Sequence, residues 1–237
     1  MKKLMHSFSQ FKEALERLRS DLDSYSLDAE REVGSVQILP VTKRQPLEAV
    51  GFAHRLGLVV VGENVVQEAA VKVQDFRKEM TWELIGHLQS NKARIAVELF
   101  DRIQTVDNLK LLCRLDRFAS EACKQQRILL QINTSQDPAK YGVPPEDADQ
   151  LVETALDLEN IILEGFMTIG LQSSDPAVAE KTFYSLRELR DRLEEDFKNP
   201  FPELSMGMSG DLESAVRAGS TIVRVGTALF GERPPRF

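Results

Sequence analysis

The sequence predicts a single (β/α)8 barrel with an extra N-terminal helix, and three observations carry that expectation. Apolar runs of β-type composition alternate with helical segments along the chain. Eight such runs fit within 237 residues, a length common for one barrel domain. The turn after the first run reads Thr42-Lys43-Arg44-Gln45-Pro46. It lacks the G-x-G-x-x-G fingerprint of a doubly wound open sheet, the alternative architecture for parallel strands.

Residues 1–31 come first, as a charged amphipathic helix packing on the barrel. Its apolar residues Met5, Phe8, Phe11, Leu15, Leu18 and Leu22 recur every three or four positions. The expected strands are Val36–Thr42, Leu58–Val61, Thr81–Ile85, Arg102–Thr105, Arg127–Asn133, Ile161–Phe166, Glu203–Met206 and Thr221–Val225. Between them fall helices over Pro46–Leu56, Asn64–Glu79, Gln89–Phe100, Asn108–Gln125, Pro145–Leu158, Pro176–Asp196 and Asp211–Ala218, with a last short one from Gly226–Thr227. Asp107 and Ser209 are the expected N-caps of their helices, and Gly219 a helix stop. Gln172–Asp175 reads as a surface loop. The whole of 1–237 is expected to form one domain.

Composition narrows the function. Hydrophobic residues make up 42% of the chain, enough for a sizeable core. The net charge of −7 disfavours nucleic acid and anionic membranes as partners. No apolar stretch approaches the length of a membrane span and no signal peptide is evident, so a cytoplasmic protein is expected. Cys113 and Cys123 lie ten positions apart in one expected helix, roughly 15 Å at about 1.5 Å per residue. That is too far to bridge, and without clustered histidines they indicate no metal. His6 and His54 read as structural; His87, directly after the third strand, is a candidate pocket residue.

Barrel chemistry collects at the carboxyl ends of strands. The first strand ends in Lys43, where loss of hydration favours the neutral, nucleophilic amine. Asn64 follows the second strand, Met167 follows the sixth and Met206 closes the seventh. Strands seven and eight lead into Ser209-Gly210 and, through Arg224, into Gly226-Thr227. Both turns precede helices, and glycines let backbone N–H groups approach an anion. Two such turns make a phosphate cradle without a lysine. In a closed barrel the first and eighth strands are neighbours, so one small molecule reaches both the amine and the cradle. Pyridoxal 5′-phosphate (PLP) has the required aldehyde and phosphate.

The chain resembles the pyridoxal-phosphate homeostasis protein family, the YggS/PROSC type. The motifs that carry the resemblance are Leu39-Pro-Val-Thr-Lys43, Gly62-Glu-Asn-Val-Val-Gln-Glu68, Trp82-Glu-Leu-Ile-Gly-His-Leu-Gln-Ser-Asn-Lys92, Gln131-Ile-Asn-Thr134, Lys140-Tyr-Gly142, Gly165-Phe-Met-Thr-Ile169, Ser205-Met-Gly-Met-Ser-Gly-Asp211 and Val223-Arg-Val-Gly-Thr227. The resemblance implies a barrel similar to the N-terminal domain of alanine racemases, with Lys43 carrying PLP as an aldimine. It also implies that Ser209, Gly226 and Thr227 hold the phosphate and that Arg224 lies near the pyridine nitrogen. Asn64, His87, Met167 and Met206 would line the pocket. Tyr141 departs from the small residues common at its position.

The function expected from the resemblance is vitamin B6 and PLP homeostasis, with amino-acid and keto-acid balance, without robust catalysis. Two alternatives stand beside it: a weak PLP-dependent amino-acid racemase or lyase using the same site, and a barrel enzyme for another phosphorylated metabolite. A racemase needs bases on both faces of the substrate carbon. The second base of the related racemases is a tyrosine set with the help of a second domain, which a chain ending at Phe237 is expected to lack. Of Tyr25, Tyr141 and Tyr184, only Tyr141 falls in a loop at the expected face. The protein is expected to act as a monomer, with PLP-dependent apo-enzymes or a regulatory protein as partners.

Overall fold

The computed structural model describes residues 5–135, 140–170 and 176–232. The expected loop Gln172–Asp175 lies outside them. The N-terminal helix α1 (Phe8–Asp28) is capped by a reciprocal pair: Ser7 Oγ accepts from the Gln10 N–H, and the Gln10 side chain accepts from the Ser7 N–H. Phe11 stacks on Phe230 at 5.0 Å between ring centroids and Phe8 meets Phe52 edge-on at 5.3 Å, which seats the helix on the barrel.

Eight parallel strands follow: β1 (Gln37–Pro40), β2 (Val60–Glu63), β3 (Thr81–Leu84), β4 (Arg102–Val106), β5 (Gln126–Gln131), β6 (Ile161–Met167), β7 (Glu203–Ser205) and β8 (Ile222–Val225). The helices between them are α2 (Leu47–Arg55), α3 (Val66–Phe76), α4 (Ala93–Leu99), α5 (Leu109–Glu121), α6 (Ala148–Asp157), α7 (Pro176–Phe197) and α8 (Leu212–Arg217). The short α9 (Thr227–Phe230) follows β8. The expected barrel is therefore the observed one. β2 begins two residues later than expected, because Gly57 turns left-handed (φ +77°) and the Leu58 N–H donates back to Ala53 O. Asn108, not Asp107, caps α5: its side chain accepts from the Leu111 N–H at 2.9 Å. Gly219 stops α8 as expected, at φ +98°.

The barrel closes through β1. The Gln37 N–H donates to Thr221 O just before β8 and the Val41 N–H to Val225 O, so Ile38, Pro40 and Thr42 turn toward β2. Thr42 donates to Gly62 O at 3.0 Å, beside the bridge between Val41 and Gly62. Pro40 has no N–H to donate, so the ladder stops there. Below that point the seam opens into a cavity of about 370 Å³ lined by Gln37, Ile38, Leu58, Val59, Val60 and Leu22 of α1.

Leu39 and Val41 pack inside the barrel with Ile85 and Ile222, while Ile38, Val61, Trp82, Leu84, Val223 and Val225 belong to the helix-facing core. This alternation sets which side chains reach the barrel centre. On the opposite wall the interior is polar. Arg102, 2% exposed, pairs with Glu83 at 2.6 Å and with Glu164 and Glu203 at 3.0 Å each. Burial opposes its charge, but Glu83 and Glu203 hold Arg102 above its ordinary pKa.

Gly165, at φ +153°, runs so close to β7 that an added Cβ would overlap the Glu203 carbonyl. Gly165→Ala is expected to cost at least about 2 kcal/mol in urea unfolding, through overlap and backbone strain. Gly210→Ala, where a Cβ meets nothing, should stay within about 0.5 kcal/mol of the parent. Equal stabilities would contradict this account of the β6–β7 approach.

Candidate functional site

Lys43 continues the inward register of Leu39 and Val41, three residues past the end of β1. It opens onto a cavity of about 340 Å³ at the carboxyl end of the barrel. The wall is made by Val41, Lys43, Asn64, Ile85, Ile169, Met208, Ser209, Gly210, Arg224, Gly226 and Thr227. Seven of the ten predicted site residues thus share one cavity: Lys43, Asn64, Ser209, Gly210, Arg224, Gly226 and Thr227. The cavity at the β1–β2 seam is slightly larger, but it sits at the amino ends of the strands and has only Arg19 and Asp23 as charged lining groups.

Arg224 is the inward residue of β8 and only 5% exposed. Its Nη1 donates to Ser205 O at 2.6 Å and to Ser205 Oγ at 2.8 Å, and Nη2 donates to Thr168 O at 2.7 Å. Ser205 Oγ donates onward to Gln104 Oε1 at 2.6 Å, and Gln104 Nε2 to Glu83. Burial lowers the Arg224 pKa to about 10, against the opposing field of Asp211. It remains a cation at neutral pH, held rigidly at the cavity floor.

The two turns supply neutral donors. Gly207, at φ +97°, would place a Cβ 2.5 Å from Ala215 Cβ, so glycine permits the descent into the first turn. Asp211 Oδ1 accepts the Met208 N–H at 2.6 Å and closes the turn around Ser209 and Gly210. Asp211 therefore occupies the cap position of α8 that was expected for Ser209, and Ser209 is left facing solvent and cavity. Gly226 occupies the cap position of α9. The N–H groups of Ser209, Gly210, Gly226 and Thr227 donate to no other group among the described residues. Four backbone donors bordering one cavity can hold an anion without a cation. Since α8 has six residues and α9 four, local N–H groups rather than long helix dipoles provide this.

Three predicted pocket residues lie elsewhere. His87 stacks on Tyr141 at 3.7 Å and 11°, with Nδ1 3.4 Å from Asp107 Oδ2. It lines a separate cleft of about 140 Å³ beside Asn64 and Lys92. Met167 and Met206 are fully buried at their strand ends and do not line the Lys43 cavity. Their places are taken by Ile169 and Met208, each two residues further along, because both strands end before the chain reaches the cavity rim. Val41 and Ile85 were also missed; Val41 follows from the alternation that orients Lys43. His6 Nδ1 lies 2.9 Å from Leu229 O and His54 meets Phe76 edge-on, both structural contacts. Cys113 and Cys123 are exposed free thiols, and Cys123 lies beyond the end of α5 at φ +51°. Among the described residues no His, Cys, Asp and Glu group could hold a metal, and no helix is long and apolar enough to cross a membrane.

Known proteins share this sequence and fold. The model of the alanine racemase N-terminal domain matches residues 15–234. The pyridoxal phosphate homeostasis protein of Vibrio alginolyticus is 38% identical over 230 residues, 95% of this chain and 98% of that protein. Its Escherichia coli counterpart is 33% identical over 92% of this chain and 95% of that protein. The structure of Synechococcus elongatus PipY with PLP bound superimposes with a TM-score of 0.83 at 36% identity, covering 93% of this chain and all of that one. The Clostridium difficile alanine racemase shares the fold alone, with a TM-score of 0.79 at 14% identity over 96% of this chain and 60% of that one. The chain belongs to the pyridoxal phosphate homeostasis protein family, built on the fold of the alanine racemase N-terminal domain.

Proposed function

We propose that this chain binds pyridoxal 5′-phosphate in the Lys43 cavity and serves PLP homeostasis in the cytoplasm as a store and donor of the cofactor. The observation that carries the reading is the sharing of one cavity by an inward lysine and four backbone N–H groups that donate to no other group among the described residues. The bound cofactor supplies an aldehyde carbon, with which the Lys43 amine forms a carbon–nitrogen double bond as one water leaves. Ser209, Gly210, Gly226 and Thr227 hold the phosphate with neutral donors. Arg224 faces the ring nitrogen as a donor that keeps its own proton, so that nitrogen stays unprotonated and the ring is a weaker electron sink. PLP-dependent apo-enzymes are the proposed acceptors.

The same geometry favours storage over turnover. None of the three tyrosines lines the cavity. Tyr141 is stacked on His87, Tyr25 lies in α1, and the Tyr184 hydroxyl donates to Arg217 O on the outer surface. Lys43 and Arg224 are the only ionisable groups lining the cavity among the described residues, and the arginine is a poor base. Racemisation needs a second base on the opposite face of the substrate carbon.

Borohydride reduction of the PLP-loaded protein followed by peptide mapping is expected to place the label on Lys43. Label mainly on Lys92 or Lys140 would overturn the assignment. Thr227→Val is expected to weaken PLP binding by about 1.5–3 kcal/mol, roughly ten- to hundredfold, because a charged acceptor loses a hydroxyl donor. An unchanged affinity would remove that hydroxyl from the cradle. Common amino acids should be racemised or eliminated at rates near those of free PLP, while apo-enzymes regain activity when mixed with the loaded protein. A kcat of about 1 s⁻¹ or more, abolished by Lys43→Ala, would favour the racemase or lyase reading instead.

A further inference from the structure

Behind Lys43, between the barrel and α3, lies a buried charged cluster that does not line the cavity. Thr42 points outward here, because its neighbours Val41 and Lys43 point in. The Lys72 ammonium on α3 is 6% exposed and uses its three protons on three acceptors. It donates to Thr42 O at 2.7 Å, Glu63 Oε1 at 2.7 Å and Glu68 Oε1 at 2.8 Å. Thr42 Oγ1 donates to the same Glu63 oxygen at 2.6 Å. Glu68 Oε1 also accepts the Arg44 N–H at 2.5 Å. The residues on both sides of Lys43 are therefore tied to one lysine and two carboxylates.

Two features indicate that the cluster fixes the backbone rather than merely filling space. Arg44 sits at φ +58°, a left-handed conformation uncommon for a side-chain-bearing residue and held here by the Glu68 contact. The cluster also lies where β1 and β2 meet, beside the bridge between Val41 and Gly62 that replaces the ladder interrupted at Pro40. Buried ion pairs add little net stability over apolar packing, but removing one partner strands the other. Their directional bonds define a backbone position in a way that apolar contacts do not.

We infer that Lys72, Glu63 and Glu68 are positioning residues that hold the Thr42–Arg44 backbone so that the Lys43 amine meets the aldehyde of a phosphorylated pyridine. This inference rests on the reading of the cavity given above. The cluster acts on the amine and not on the phosphate cradle, which belongs to the turns after β7 and β8.

That separation supplies the test. Pyridoxine 5′-phosphate has the same ring and phosphate, but its alcohol cannot condense with an amine. Affinities for PLP and for pyridoxine 5′-phosphate are measured on the full chain, its Lys72→Met variant and its Glu68→Ala variant. Lys72→Met is expected to weaken PLP binding by about tenfold or more, since small misplacements of a reacting group are costly, while binding of the alcohol changes less than about twofold. Glu68→Ala, at a half-buried position, should shift the ratio in the same direction, and it decides the question if Lys72→Met does not fold. Parallel loss of both ligands, or no change in either, overturns the positioning role and leaves the cavity reading intact. A parent protein that binds neither ligand overturns both.

Discussion

A closed barrel leaves little room for unpaired charge, and among the described residues this one buries two arginines on its inner wall. Arg102 is answered by three carboxylates, Glu83, Glu164 and Glu203. Arg224 is not: among the described residues its partners are the Ser205 and Thr168 carbonyls and the Ser205 hydroxyl. It stands in the same interior network, through Ser205 and Gln104 to Glu83, but with no carboxylate of the described residues in hydrogen-bond contact. The carboxylate that raises its pKa, Asp211, is itself engaged with the Met208 N–H. The cavity floor is consequently electropositive and rigid. Four backbone N–H groups at its rim have the same preference, so the site is suited to an anion even though its cradle contains no lysine or arginine.

The lysine on the neighbouring strand depends on a second constraint. β1 must present Leu39, Val41 and Lys43 to the interior and yet pair on both sides, and Pro40 removes one of the donors needed for pairing with β2. The chain recovers with the Thr42 N–H, one residue before the lysine, and with the charged cluster around Lys72. The seam below stays open. Loss of a ladder bond and the defined placement of Lys43 are thus linked in one short segment, Pro40 to Arg44.

Much of this was legible in the sequence. Alternating strand and helix patterns predicted the barrel and its helical layer, because parallel strands covered on both faces read as compact apolar runs. The strand-end rule located Lys43, Asn64 and the turns at Ser209-Gly210 and Gly226-Thr227. The same property that made the strands visible concealed their inward faces. Where both faces are buried, apolar composition does not reveal which residues point to the barrel axis, so Met167 and Met206 were assigned to a cavity that Ile169 and Met208 line. His87 was displaced by Tyr141, whose ring offers a stacking partner outside the cavity. Asp107 and Asn108 are both good caps, and the choice between them was made by the competing contact of Asp107 with His87. The Lys72 cluster joins residues 30 positions apart, from Thr42 to Lys72, and only the packed structure brings them together.

The central claim is that one small molecule spans the lysine on β1 and the turns after β7 and β8. A crystal structure of the protein grown with PLP tests it most directly. The account predicts continuous density from Lys43 Nζ to the ring, with phosphate oxygens in hydrogen-bond contact with the N–H groups of Ser209, Gly210, Gly226 and Thr227. Ligand density elsewhere, as in the seam cavity below Pro40 or the cleft at His87, with Lys43 unmodified, would contradict it.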